Sequence, residues 1–335
     1  MKNYIEELSQ IALTNKGLLT DNKEHFITTG EDLLNLKVME LPYLVEGLFP
    51  QTGLVALAGS SDTGKSSFLR QFAITVACGE EDFIGFNVNA KYRSVIYVST
   101  EDDKQAMAYL LNKQMSGEVS PEKLKELRFI FNSEDILTKL DKSLKRHPAD
   151  CVIIDTFTDL YGGDLNAANK VRSFLTDFHN LAQKHNCLIV FLHHTGKRTD
   201  FSPPSKDNLL GSQGFEAKMR LVIELRKDIT DSRKRHLCIV KGNYIQEKDK
   251  KESYVLAFDE KMRYSKLDER VPFHLLVKPD PKKSDKTELK LRAIQLKGEG
   301  LSVTQITEKM AKEGHAIGRS TVGDWVKECP ASGQP

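Results

Sequence analysis

Cysteine is scarce in this 335-residue chain, and the five present (Cys78, Cys151, Cys187, Cys238 and Cys329) are scattered. Their number is odd and no pair forms C-x-x-C, so neither a disulfide framework nor a zinc site is indicated. Three of them sit in apolar, strand-like runs, where a thiol behaves as a small hydrophobe and fits a reducing compartment. An excess of one charge is also missing. Lys and Arg total 49 against 47 Asp and Glu, leaving a net charge of +2. A global electrostatic case for nucleic acid is therefore absent, and any basic surface must be local. No apolar run approaches the roughly 20 residues that cross a bilayer. Glu6 and Glu7 stand where a signal peptide would be basic and then apolar. No internal repeat is present. The expectation is a soluble, cytoplasmic protein without membrane association, built as one large domain plus something smaller.

The stretch Gly59-Ser60-Ser61-Asp62-Thr63-Gly64-Lys65-Ser66 matches the phosphate-binding loop G-x-x-x-x-G-K-[ST]. An apolar run at 54–58 precedes it and 67–72 follows with helical spacing, the strand–loop–helix setting that the motif needs. Glycines let the backbone approach a phosphate closely, loop N–H groups point inward, and the following helix sets its positive end on the same anion. Lys65 would bridge the β- and γ-phosphates of ATP, and the Ser66 hydroxyl would ligate Mg²⁺. Gly59 through Ser67 are thus the candidate nucleotide contacts, with the Asp62 carboxylate turned outward.

Apolar strands at 54–58, 94–99, 128–131, 151–154 and 188–192 alternate with helical segments. Their near-continuous apolar character predicts a mostly parallel sheet with both faces covered by helices. Segments 220–227 with 234–241, and 253–258 with 263–267, each flank a polar turn and predict antiparallel hairpins added to that sheet. Parallel strands present their carboxyl ends on the nucleotide edge. Asp155 closes the strand 151–154 and would reach Mg²⁺, usually through water. Glu101 closes another strand and would orient or deprotonate the attacking water; Asp102 beside it is the other candidate. His193 and His194 end a third strand. Alternation sends them to opposite faces, so both cannot comfortably bind one metal, and His194 is placed to hydrogen-bond the γ-phosphate.

In order, the loop, Ser-Thr-Glu-Asp at 99–102, Ile-Ile-Asp-Thr at 153–156 and Phe-Leu-His-His-Thr-Gly-Lys at 191–197 resemble the RecA-like ATPases of the plasmid replicative helicase RepA type. The similarity spans about residues 40–250. It implies an ATP- and Mg²⁺-dependent DNA helicase working as a ring of six. Gly211-Ser212 with Arg220 beyond resembles the family's arginine-finger segment, and Val240-Lys241-Gly242-Asn243-Tyr244 its Lys-x-Asn-Tyr strand end. The resemblance therefore implies that Arg220 and Lys241 reach a neighbouring subunit's nucleotide. Leu210 departs from the Arg that the family often carries there. In the family, single-stranded DNA threads the channel and touches loops after Asp155 and His194. Here these hold Lys197, Arg198 and Lys206 for phosphate contact, and Tyr161 and Phe201 for stacking.

Past a polar linker at 276–286, the segment Gly-Leu-Ser-x-x-x-Ile and then Arg319-Ser320-Thr321-Val322-x-x-Trp325-Val326-Lys327 resembles the helix-turn-helix of resolvases and transposases, with a turn two or three residues longer. It implies that Arg319, Ser320, Thr321 and Lys327 meet duplex DNA. A protein-docking module is the other reading. The expected plan is an N-terminal segment (1–50), a RecA-like α/β ATPase domain (51–275), a linker (276–286), an all-α helix-turn-helix domain (287–328) and a disordered tail (329–335). The competing function is an ATP-switched DNA-binding regulator or adaptor of recombination or transposition that does not unwind.

Overall fold

The computed structural model describes residues 27–115, 120–196, 198–211, 213–279 and 281–327. Lys197, Ser212, Cys329 and the expected tail lie outside the described residues. The chain divides between Pro42 and Tyr43. Before that point, Thr29 caps the short helix Gly30–Asn35 in a reciprocal box with Asp32.

The larger unit holds a nine-stranded sheet. Its strands are β1 (Gly53–Gly59), β2 (Val95–Ser99), β3 (Leu127–Ile130), β4 (Cys151–Asp155), β5 (Leu188–His194), β6 (Leu221–Lys227), β7 (Lys234–Gly242), β8 (Glu252–Phe258) and β9 (Tyr264–Pro272). The order across the sheet is β9-β8-β7-β6-β1-β5-β4-β2-β3. From β6 to β3 all neighbours are parallel, and β6 to β9 are antiparallel. Helices α1 (Lys65–Cys78), α2 (Lys104–Met115), α3 (Ile136–Arg146), α4 (Ala168–His185) and α5 (Gln213–Lys218) connect or flank the strands.

Every residue of β1, β2 and β4 is buried. Alternation divides each strand between two cores. Val55 and Leu57 face Phe68 and Phe72 of α1, while Leu54, Ala56 and Ala58 share a core with Leu140 of α3 and Leu175 and Phe178 of α4. Helix α3 shows why it docks on one side only: Ile136, Leu140 and Leu144 recur every fourth residue and are its buried positions.

Three further helices follow, α6 (Pro281–Gly298), α7 (Val303–Lys312) and α8 (Arg319–Lys327). Helix α6 starts at Pro281, well before the helical pattern that begins at Glu288, since a proline is tolerated in a first turn where its missing N–H has no partner to lose. Ser302 caps α7 in a reciprocal box with Gln305. Ala293, Leu296, Ile306, Met310, Val322 and Trp325 form a core of their own, with no contribution from the sheet among the described residues.

A core this small is marginal. Trp325 is 7% exposed, and its truncation should cost about 3–5 kcal/mol, comparable to all the stability such a unit has. In Trp325→Ala, amide hydrogen exchange across α6–α8 should rise towards unfolded rates while the sheet strands keep their protection. Unchanged protection in α6–α8 would contradict the separate core.

Candidate nucleotide site

The parallel register gathers the candidate groups at one edge. Ser99 pairs with Asp155 and Gly59 with His194, so the ends of β2, β4, β1 and β5 lie side by side. The loop after β1 leads into α1. Gly64 has φ +92°, the left-handed region that a side chain disfavours. A Cβ on Gly59 would lie 2.5 Å from the Leu225 carbonyl, so β6 holds the loop's first residue closely from below. Beside the loop opens a cavity of about 700 Å³, lined among others by Lys65, Ser66, Glu101, Asp102, His194 and Phe258.

Lys65 is buried and its Nζ donates to the Ser60 carbonyl at 2.9 Å, where Thr63 Oγ1 also donates at 2.9 Å. Burial lowers the Lys65 ammonium to about pKa 8, with Asp155, Glu101 and Asp62 pulling it back up. Asp62 itself is exposed. Burial raises Asp155, opposed by the hydrogen bond from Tyr97 and by the nearby Ser66 side chain. Burial raises Glu101 as well, reinforced by Asp155, Asp159 and Asp102 and opposed by Lys65. A carboxylate held above its usual range is better matched to accepting a proton near neutrality.

Asp155 tests whether a cation fits. Its Oδ2 accepts from the Tyr97 hydroxyl at 2.6 Å, while Oδ1 is buried without a partner. A buried carboxylate oxygen left without a partner, on a carboxyl that also feels the Ser66 side chain, is a ligand that a hard divalent cation takes.

His193 and His194 separate as alternation requires. His194 lines the cavity and is lowered by burial and then by Lys65. His193 is fully buried against Phe157 and Phe215, with Nε2 2.7 Å from the Leu210 carbonyl. A carbonyl only accepts, so Nε2 carries the proton.

Arg220 and Lys241 are brought together on the opposite edge. β6 runs parallel to β1 with Leu221 beside Val55, so Arg220 lies at the strand's start, far from its own loop. Antiparallel β7 returns Lys241 beside Val222. Lys241 Nζ pairs with Glu216 at 2.9 Å and Lys206 with the same carboxylate at 3.4 Å. Arg198 places its guanidinium 5.8 Å from the Phe201 ring. Tyr161 is half-buried. Its ring stacks on Phe157 at 5.6 Å and packs on Phe174, because flanking aromatics offer apolar contact that solvent does not. On α8, Arg319 and Ser320 are exposed near the helix start, Thr321 is half-buried and Lys327 is exposed at the end.

Several contacts were not foreseen from sequence. Thr100 Oγ1 lies 2.9 Å from the Asp155 carbonyl and accepts the Thr156 amide at 2.9 Å, which fixes the end of β2 to that of β4. Arg70, 1% exposed, donates to Gln114 at 2.8 Å beside the same cavity. Tyr97 had a readable signal, since a tyrosine inside a central strand must find a partner for its hydroxyl.

The protein family described as AAA domain matches residues 22–200, more than half of the chain. Among solved structures, an ATPase domain resembles it with a TM-score of 0.51 and 13% sequence identity, covering 78% of this chain and 99% of that one. That likeness is one of fold, and it agrees with the expected RecA-like α/β core with its mostly parallel sheet. No curated protein matches the chain in sequence. Among the described residues, no helix is long and apolar enough to cross a membrane.

Burial lowers His193 from 6.5 to about 4. As pH falls, the unfolded chain takes up this proton first. The stabilisation is therefore complete above about pH 6.5 and is lost as pH falls through about 4, on the order of 3 kcal/mol in all. His193→Gln keeps a donor for Leu210 without titrating. Its unfolding free energy should lose less than the wild type's between pH 6.5 and 4; parallel pH profiles would contradict the assignment.

Proposed function

The chain belongs to the AAA domain family, and from that premise we propose that it is an ATP-driven DNA motor of the replicative helicase type. The observation that carries the reading is the convergence of Lys65, Ser66, Glu101, Asp155 and His194 on one sheet edge, with Asp155 Oδ1 buried and unpartnered. The loop from Gly59 to Ser67 and the Lys65 ammonium hold the phosphates of ATP. Ser66 and Asp155 would hold Mg²⁺, whose charge would offset that of the transferring phosphates. Glu101 takes a proton from water as its oxygen bonds the γ-phosphorus; the bond to the β–γ bridging oxygen breaks, leaving ADP and inorganic phosphate. His194 donates to the γ-phosphate and passes its loss to the loop after β5.

Arg220 and Lys241 stand on the edge away from their own loop. This favours action on a neighbour's nucleotide within a ring, six chains in the helicases that the sequence resembles. Arg198, Lys206 and Lys197 then attract single-stranded DNA in the channel, and α6–α8 bind duplex through Arg319, Ser320, Thr321 and Lys327. The separate core of α6–α8 also favours a second reading, a DNA-targeted ATP switch that does not unwind. Strand displacement on a forked duplex separates the two.

Glu101→Gln should keep nucleotide affinity and reduce phosphate release from ATP at least about tenfold. Wild-type turnover in that variant would pass the role to Asp102. Arg220→Ala and Lys65→Ala should each be inactive, since an arginine finger contributes on the order of 10³–10⁵ in rate. Mixed, they should regain activity, because one chain's intact site meets the other's intact finger. Co-assembled but inactive mixtures would count against action in trans.

A further inference from the structure

The phosphate loop is gripped from behind by two buried side chains of the antiparallel strands. The Tyr264 hydroxyl, at the start of β9, lies 3.2 Å from the Thr63 carbonyl and 3.0 Å from the Gly64 carbonyl. Arg235 Nε, on β7, donates to the same Thr63 carbonyl at 2.9 Å. Both residues are almost wholly buried. Both also lie beyond the stretch 22–200 that carries the family match, and neither belongs to the loop motif.

Peptide geometry gives this grip a consequence. In a planar trans peptide the carbonyl and the N–H point in opposite directions. The Thr63 carbonyl shares its peptide with the Gly64 N–H, and the Gly64 carbonyl shares its peptide with the Lys65 N–H. The Gly64 carbonyl also accepts the Phe68 N–H of α1 at 2.9 Å, so the side chains of β7 and β9 bear chiefly on the Thr63 carbonyl. Holding both carbonyls on that side turns the Gly64 and Lys65 N–H groups the other way, into the cradle where an anion needs them. A carbonyl facing inward would set a negative partial charge against phosphate.

The two donors are themselves fixed. Tyr264 exchanges backbone hydrogen bonds with the Gln71 side chain of α1, at 2.9 and 2.6 Å, and its ring packs on Phe68 and Phe258. Arg235 Nη1 donates to the Ser232 and Lys234 carbonyls at 2.6 and 2.8 Å, and its guanidinium lies 4.8 Å from the Phe258 ring. Gly64 suits this packing as well as its dihedral angle, because a Cβ there would overlap the Tyr264 hydroxyl.

We propose that Tyr264 and Arg235 are positioning residues for the nucleotide phosphates, acting through the orientation of the Thr63 and Gly64 peptides. The inference rests on the nucleotide reading of the site. Tyr264→Phe removes the hydroxyl and keeps the ring. ADP titrated by calorimetry into the full-length chain should bind about 3- to 10-fold more weakly, the loss expected for one hydrogen bond. The KM for ATP should rise by a similar factor while kcat stays within about twofold, the pattern of a lost ground-state contact. Arg235→Gln should act in the same direction. The double variant should lose less than the product of the single losses, because both donors act on the Thr63 carbonyl. Wild-type ADP affinity in Tyr264→Phe and in Arg235→Gln, or a fall in kcat at unchanged KM, would overturn the proposal and leave the nucleotide site standing. A wild-type chain that binds no ADP would overturn both.

Discussion

A parallel ladder makes neighbouring strands run the same way, and their carboxyl ends must then meet at one edge. In this chain the register is tight enough to set Ser99 against Asp155 and Gly59 against His194. The loop, Glu101, Asp155 and His194 come from segments far apart in sequence. None would meet the others without that ladder. Helices on both faces keep the strands dry, and Thr100 joins two strand ends directly through its contacts with Asp155 and Thr156.

The same burial that builds the site works against its charges. Lys65 is pushed towards its neutral form, and Glu101 and Asp155 towards theirs. A polyphosphate next to Lys65 favours the ammonium, and a divalent cation next to Asp155 favours the carboxylate. Filling the site therefore relieves strain on both sides at once. The buried donors of β7 and β9 address a different part of the problem, the direction of the loop's peptides, which no charge in the loop itself controls.

Much of the plan was legible because it is local. The runs at 54–58 and 151–154 show unbroken apolar character that only a doubly covered strand explains, and the loop motif names its own residues. The split of His193 from His194 followed from strand alternation. The start of α6 at Pro281 was hidden because a proline in a polar stretch reads equally as linker and as first turn. Tyr161 was legible as aromatic, but whether it faced solvent or Phe157 depends on packing that no local pattern carries. Arg235 and Tyr264 were invisible for the same reason: they touch Thr63 and Gly64 only through the fold, and their own neighbourhoods read as ordinary hairpin.

Release of inorganic phosphate from ATP, followed for the wild type and for Lys65→Ala with magnesium and with magnesium chelated, tests the central claim most directly. The expected result is steady release by the wild type with magnesium, and none above background after chelation or in Lys65→Ala. Release that persists in Lys65→Ala, or a folded wild-type chain that releases none with single-stranded DNA present, would contradict it.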